Sequence, residues 1–233
     1  MITSSSISRL HDFERCKFFA WLKHDQKIPE PERPLPPGKT EHANDRGTRV
    51  HDGCELYVKG ESDELPAEAE LHFGPQIDFL RVLHAEGLVS TEGEWGYDRD
   101  WVPMDYRSAW LRVKLDVMVR VHKHEAVVID YKTGRKYGNE MKHAEQMMVY
   151  AAAAVMRHPD IEVVTTELWY LDQNEITSQR YLRSQALRLR LALDSRMKRM
   201  TTATEFPAAK NKFACKWCQY GPWNGGQCQE GVR

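Results

Sequence analysis

The sequence predicts an α/β fold, a central sheet flanked by helices, and three stretches carry that prediction. From Leu111 to Arg120 the apolar residues Leu111, Val113, Leu115, Val117 and Val119 alternate with the rest, the period-2 pattern of a strand with one buried face. A second strand follows over Ala126 to Lys132, across a turn at His122 to Glu125. His143 to Met156 then reads as an Ala-rich helix, closed by His158-Pro159.

The other elements arrange themselves around these. Ser4 to Lys23 reads as one capped helix, with Ser and Thr ahead of an apolar pattern at Ile7, Leu10, Phe13, Phe18 and Trp21-Leu22. Five prolines between Pro29 and Gly38 make a loop or extended linker. A helix is expected over Asp45–Lys59, ending at Gly60, and another over Gln76–Glu86. Glu162–Leu171 and Ile176–Tyr181 resemble a hairpin around Asp172-Gln173-Asn174-Glu175. Residues 182–200 form an amphipathic helix, with Leu182, Ala186, Leu189, Leu193 and Met197 on one side and arginines outside. Residues 1–233 are expected to form a single domain: an N-terminal helix and linker (1–40), a core (41–181), and a basic helix with a Cys-rich segment (182–233).

Composition sets limits. Hydrophobic residues make up 41% of the chain and charged ones 29%, enough apolar material for a core and too much for wholesale disorder. No apolar run approaches the roughly 20 residues of a membrane span, and the N-terminus has neither the basic start nor the apolar stretch of a signal peptide. The expectation is a soluble cytoplasmic protein with no membrane partner. Net charge is −1, but its distribution is uneven. Residues 61–105 hold twelve Asp/Glu against two Lys/Arg, and residues 181–233 hold ten Lys/Arg against three Asp/Glu. Such a chain can present a basic surface to nucleic acid while neutral overall; two solvated faces of different sign are the plainer alternative.

The chemistry centres on Asp116, Asp130 and Lys132. Asp130 and Lys132 are two apart on one strand and share a face. If the two strands pair, Asp116 joins them, and two carboxylates with an ammonium converge on a small patch. Carboxylates that close repel unless a hard divalent cation lies between them, and oxygen ligands suit Mg²⁺ or Mn²⁺. A nearby Lys can orient or deprotonate a water, which completes the parts for metal-assisted phosphodiester hydrolysis. The alternative is a surface salt bridge across a hairpin.

Four segments occur in order: Gly-Thr-Arg-Val-His (47–51), Lys114-Leu115-Asp116, Ile129-Asp130-Tyr131-Lys132-Thr133-Gly134, and Gln146-Met147-Met148-Val149-Tyr150. Together they resemble the RecB-like branch of the PD-(D/E)xK nuclease superfamily. The resemblance implies a restriction-endonuclease-like core with a mixed sheet of about four or five strands. It implies His51, Asp116 and Asp130 as metal ligands, joined by the backbone carbonyl of Tyr131, with Lys132 as the catalytic lysine. Gln146 and Tyr150 would position DNA or that lysine. Glu94, in Gly93-Glu94-Trp95-Gly96-Tyr97, is a candidate for the further acidic residue of the motif, among many acidic neighbours. Glu55, one turn after His51 and facing the same way, could support the metal ligands from behind or be an exposed Glu. A packed helical His51, and a Tyr150 that simply packs on the sheet, are the structural alternatives.

Five cysteines with this spacing are not a secreted disulfide framework. Cys215, Cys218 and Cys228 form C-x2-C-x9-C, and Cys16 lies far ahead of them. The chain is similar also to phage-type exonucleases, and the segment Ser6 to Cys16 is similar to the CRISPR-adaptation and AddB-type iron–sulfur nucleases of the RecB-like branch. That resemblance implies a [4Fe-4S] cluster on Cys16, Cys215, Cys218 and Cys228, closing a loop of about 200 residues. Zn²⁺ on the same thiolates satisfies the spacing as well. Cys54 is most simply a small buried residue.

The resemblance therefore implies a divalent-metal-dependent DNA nuclease, an exonuclease before an endonuclease, acting in recombination, repair or end processing, in the host cytoplasm if phage-encoded. Arg188, Arg190, Lys210 and Lys212 are candidates for backbone contacts, with Trp217 and Trp223 as stacking surfaces or, alternatively, core residues. The chain has no G-x-x-x-x-G-K-[ST] loop, so a helicase or annealing protein would be a separate partner. A catalytically silent DNA-binding or scaffold protein on the same fold is the alternative.

Overall fold

The computed structural model describes residues 1–232. The chain divides into two compact units, Pro37–Leu191 and a second made from both ends, Met1–Pro36 with Ala192 onward.

The core unit is built on a six-stranded mixed sheet in the order β2-β1-β3-β4-β5-β6, comprising β1 (Val89–Tyr97), β2 (Pro103–Met104), β3 (Leu111–His122), β4 (Glu125–Lys132), β5 (Val163–Tyr170) and β6 (Glu175–Leu182). One more strand forms than the sequence pattern suggests, because the Pro103-Met104 pair is too short to show a period. β4 and β5 run parallel while the other pairings are antiparallel. A parallel pair needs a long crossover, and α5 (Glu140–Arg157) supplies it. Its run Ala151–Ala154 is fully buried, since a small side chain lets a helix backbone approach a sheet closely. There the Tyr97 hydroxyl donates to the Ala153 carbonyl at 2.8 Å.

Helices α3 (Ala43–Lys59) and α4 (Ala67–Ala85) form another layer. Val50, Cys54 and Val58 from α3, with Phe73, Ile77 and Leu80 from α4, pack against Val117, Ile129, Tyr131 and Trp169 of the sheet. Gly60 ends α3 in the left-handed region at φ 76°, as a glycine stop should. Against expectation, α4 begins ahead of Gln76 and runs through Pro75. A proline removes one backbone hydrogen bond, but the seam Ala69, Phe73, Ile77, Leu80 buries four side chains on the far side of that cost.

In the terminal unit the expected single helix over 4–23 is broken. α1 (Ile7–Arg15) is capped by the Ser6 side chain and ends at Cys16, whose backbone is extended at φ −164° and ψ 114°. α2 (Lys17–Ala20) restarts at once and a π-turn over Trp21–Asp25 finishes the segment. Tertiary contacts override helix propensity here: the Cys16 thiol accepts the Ala209 N–H at 3.4 Å. Phe19 and Leu22 pack with Tyr220 and Cys228, and Ile2, Phe13 and Ala20 pack with Met200. The stretch from Pro29 to Pro36 is without helix or strand, as its prolines require. α6 (Arg183–Thr201) buries Ala186, Leu193, Met197 and Met200, whereas Leu182, expected on that seam, closes β6 and is exposed. A short α7 (Lys212–Lys216) carries Cys215. Among the described residues no helix is long and apolar enough to cross a membrane.

Candidate active site

The register Val117 to Ile129 between β3 and β4, carried one residue further, sets Asp116 across from Asp130. β4 is buried along most of its length because it is a central strand, so the face that carries Asp130 is covered rather than solvated. Asp130 is 2% exposed. α5 lies over it and brings Gln146 and Tyr150, four apart and therefore on one helix face.

These side chains form one hydrogen-bonded set. Lys132 Nζ makes an ion pair with Asp130 Oδ2 and donates to Gln146 Oε1 at 2.9 Å. Gln146 Nε2 donates to Asp130 Oδ1 at 3.0 Å and to the Tyr150 hydroxyl at 2.6 Å. The Tyr150 hydroxyl in turn donates to the Lys114 carbonyl at 2.6 Å. On the other carboxylate, Asp116 Oδ2 accepts the Tyr131 N–H at 2.7 Å, and Asp116 Oδ1 lies 2.9 Å from His51 Nδ1. That contact makes Nδ1 the protonated nitrogen of a neutral His51 and leaves Nε2 as its lone-pair donor. His51, Asp116, Asp130, Tyr131, Lys132, Gln146 and Tyr150 all line one open cleft of about 510 Å³.

The charged groups of the cleft act on one another. Burial pushes the Asp130 carboxyl above its ordinary pKa; the Lys132 ammonium opposes this and the neighbouring Asp116 charge reinforces it. Burial pulls His51 down, but the hydrogen bond and charge of Asp116, with Asp130 behind, carry it above its ordinary value. Among the described residues no three His, Cys, Asp or Glu side chains stand close enough together to grip an ion. The donor chemistry still fits a hard or borderline divalent metal, with two carboxylates and one imidazole facing a common cleft.

Two expected residues lie apart. Glu94 is exposed on β1, opposite Lys114, and does not line the cleft. Glu55 ion-pairs with Lys59 one turn along α3. Conversely, Asn44 and Thr48 line the cleft, and their spacing of seven and three residues before His51 was the signal that α3 turns them the same way. His143, three residues before Gln146, is bound to the Tyr170 hydroxyl at 2.9 Å. Burial, aided by the Lys132 charge, pushes its pKa down to about 4, so it is neutral at pH 7.

Within the terminal unit, Cys16, Cys215, Cys218 and Cys228 line one small cavity, with no disulfide among them. The Cys218 N–H donates to the Cys215 carbonyl at 3.0 Å, and the Cys228 N–H to the Tyr220 carbonyl at 2.8 Å. Thiols are the soft donors that iron–sulfur clusters and Zn²⁺ take; these four share a cavity, but, like the carboxylates above, they do not stand close enough together among the described residues to grip an ion. Cys54 is buried on the core face of α3, its thiol pushed up to about 12 by desolvation, which suits a packing role. Of the candidate DNA contacts, Arg188 is exposed and Arg190 donates to the Asp100 carbonyl at 3.0 Å, both in the core unit. In the terminal unit Lys210 pairs with Glu230, while Lys212 is exposed beside Phe213 and near Trp217, which is 73% exposed. Trp223 is half-buried.

A family profile described as the PD-(D/E)XK nuclease superfamily matches residues 4–223. No curated protein matches the chain. Among solved structures the chain is similar to SSO0001, with 16% identity over 79% of this chain and 86% of that one and a TM-score of 0.37. It is similar also to an alkaline exonuclease from Laribacter hongkongensis, with 12% identity, 85% and 86% coverage, and a TM-score of 0.34. Likeness at that level carries no weight for chemistry.

Proposed function

The chain belongs to the PD-(D/E)XK nuclease superfamily, and we propose that it is a divalent-metal-dependent deoxyribonuclease, an exonuclease of the RecB-like branch working in recombination, repair or end processing. The observation that carries this is the hydrogen-bonded set Asp130, Lys132 and Gln146 with Asp116 facing the same cleft. The whole chain is read as one nuclease domain.

His51, Asp116, Asp130 and the Tyr131 carbonyl would hold Mg²⁺ or Mn²⁺, which supplies Lewis-acid polarisation of the phosphodiester and lowers the pKa of a bound water. Gln146 fixes the Lys132 ammonium through its carbonyl oxygen while its amide nitrogen fixes Asp130, so acid and base partners keep one geometry. As an ammonium, Lys132 is then placed to orient an attacking water and to offset charge growing on phosphate. Tyr150 locks Gln146 against the β3 backbone. Arg188, Arg190, Lys210 and Lys212 would meet the DNA backbone. The four cysteines would hold a [4Fe-4S] cluster, or Zn²⁺ in its place.

DNA labelled separately at its 5′ and 3′ ends, single- and double-stranded, tests this with Mg²⁺ or Mn²⁺ beside Lys132→Ala. Cleavage lost in the variant, with DNA still bound, is the expected result, and the order of label release gives polarity. Binding without cleavage by either protein would replace the proposal with a silent DNA-binding or scaffold protein.

A further inference from the structure

We propose that Arg15 is the counter-charge of a metal–thiolate centre on Cys16, Cys215, Cys218 and Cys228, its guanidinium donating N–H···S hydrogen bonds to the sulfurs. The proposal rests on the reading that these four cysteines bind metal. Arg15 ends α1 and lines the same cavity as the four thiols. Its Nε and Nη2 are both buried, and neither has a hydrogen-bond partner among the described residues. The guanidinium stacks over the Phe19 ring at 4.0 Å. That contact offsets some of the lost hydration, but two desolvated donors of a permanent cation still lack acceptors. Buried polar groups are rarely left so, and an orphaned pair calls for a partner that binds there.

The cavity wall names the partner. Beyond the thiols it is mainly apolar, including Phe18, Phe19 and Leu22, and its carboxylate, Glu230, is engaged with Lys210. The nearby Asp12 carboxylate, which feels the Arg15 charge, is engaged by His24 and Lys23, so sulfur is the acceptor chemistry that the cavity offers. A metal bound by four thiolates, Zn²⁺ or a [4Fe-4S] core alike, is anionic overall, and in an apolar wall it needs both positive charge and N–H donors. Arginine meets this better than lysine because its planar fork offers several donors and keeps its charge when desolvated. The helix break matters too. The helix stops between these two neighbours, and Arg15 and Cys16 both line the cavity. Arg15 also borders an open groove with Lys17, Arg196 and Arg199, but a phosphate lying there could not reach nitrogens closed to solvent.

The test uses the full chain, purified without oxygen and loaded in separate arms with ferrous iron plus sulfide or with Zn²⁺ alone. Wild type is compared with Arg15→Met, which keeps the stem length over Phe19, and with Arg15→Lys. Circular dichroism checks folding, and metal analysis with absorbance identifies which centre forms. We expect a chelator to strip metal from Arg15→Met about ten- to a hundredfold faster than from wild type, with Arg15→Lys between them. In the iron arm, dithionite titration should give Arg15→Met a more negative midpoint potential, because a neighbouring cation favours the added electron. Equal release and equal potential in wild type and Arg15→Met overturn the role of Arg15 while the cysteine centre stands. A wild type that takes up neither metal overturns the centre and the role together. If Arg15→Met does not fold, the Arg15→Lys release rate decides on the same terms.

Discussion

Arg46 clamps Asp172 through two nearly parallel hydrogen bonds, Nη1 to Oδ2 at 2.8 Å and Nη2 to Oδ1 at 2.7 Å. Asp172 Oδ2 also accepts the Gly134 N–H at 2.8 Å. One carboxylate thus ties helix α3, the turn after β5 and the turn that follows Lys132. Arg46 reaches Glu68 of α4 as well, at 3.3 Å.

Removing that tie should loosen the site from outside the cleft. Asp172→Ala is expected to cost about 1–2 kcal/mol, the range for a charge-assisted pair that is still partly solvated, and to lower cleavage without abolishing it. Acid should act likewise. The hydrogen bond from Arg46 is the main influence holding the Asp172 carboxyl below its ordinary 3.8. A depressed folded pKa means stability that is present above pH 3.8 and lost as pH falls through the folded value. Acid-unfolding curves of wild type and Asp172→Ala should converge at the low end; parallel curves would remove the clamp from the account.

Gln146→Ala should separate catalysis from folding. It frees Lys132 from one partner and Asp130 from another, so a ten- to hundredfold fall in cleavage is expected, about the usual cost of an outer-shell partner. Tyr150→Phe should leave Gln146 Oε1 on Lys132 and cost less activity. Its price falls on stability, about 1–2 kcal/mol, because the Lys114 carbonyl loses its donor. Matching kcat in Gln146→Ala and wild type would refute the positioning role.

Asp130→Asn and Asp116→Asn should each weaken Mn²⁺ binding in calorimetry. The Asp130 change should do more, because its carboxylate is the more deeply buried. Unchanged Mn²⁺ isotherms in both would sink the assignment of these carboxylates as ligands.

Gly226→Ala should disturb the terminal unit selectively. A Cβ there would lie 2.2 Å from the Tyr220 carbonyl carbon, a backbone atom that cannot step aside. The loop carrying Cys218 toward Cys228 would have to open. Tyr220, which donates from its hydroxyl to the Ile28 carbonyl at 2.6 Å, would lose that contact. Faster proteolysis of the terminal segments, with the core unit still protected, is the expected outcome.

What could be read from the sequence was local. The alternation in β3, the Asp-x-Lys pair in β4 and the Gln146–Tyr150 spacing are each set by a strand or helix repeat, and all of them reach one cleft. The strand order was not legible in the sequence; the parallel β4–β5 pair depends on the crossover helix α5 between them. Contacts between distant residues left no such trace. Arg46 and Asp172 are 126 residues apart, and no periodicity marks two charged surface residues as partners. The same reason hides the break at Cys16, where an apolar helical pattern continues on both sides while the Ala209 N–H holds the thiol. The start of α4 was missed as well: the helix expected from Gln76 begins at Ala67 and runs through Pro75, held by the buried seam on both sides of it.

The terminal unit, assembled from Met1–Pro36 and the residues from Ala192 onward, also has a history in time. A ribosome delivers Phe13, Phe19 and Leu22 first, and Met200, Tyr220 and Cys228, which cover them, only after the whole core unit has been made. Throughout that interval the nascent chain carries an aromatic segment whose covering residues do not yet exist. Aggregation and chaperone capture act on such uncovered surface, so the interval of synthesis between these two segments exposes this chain to both.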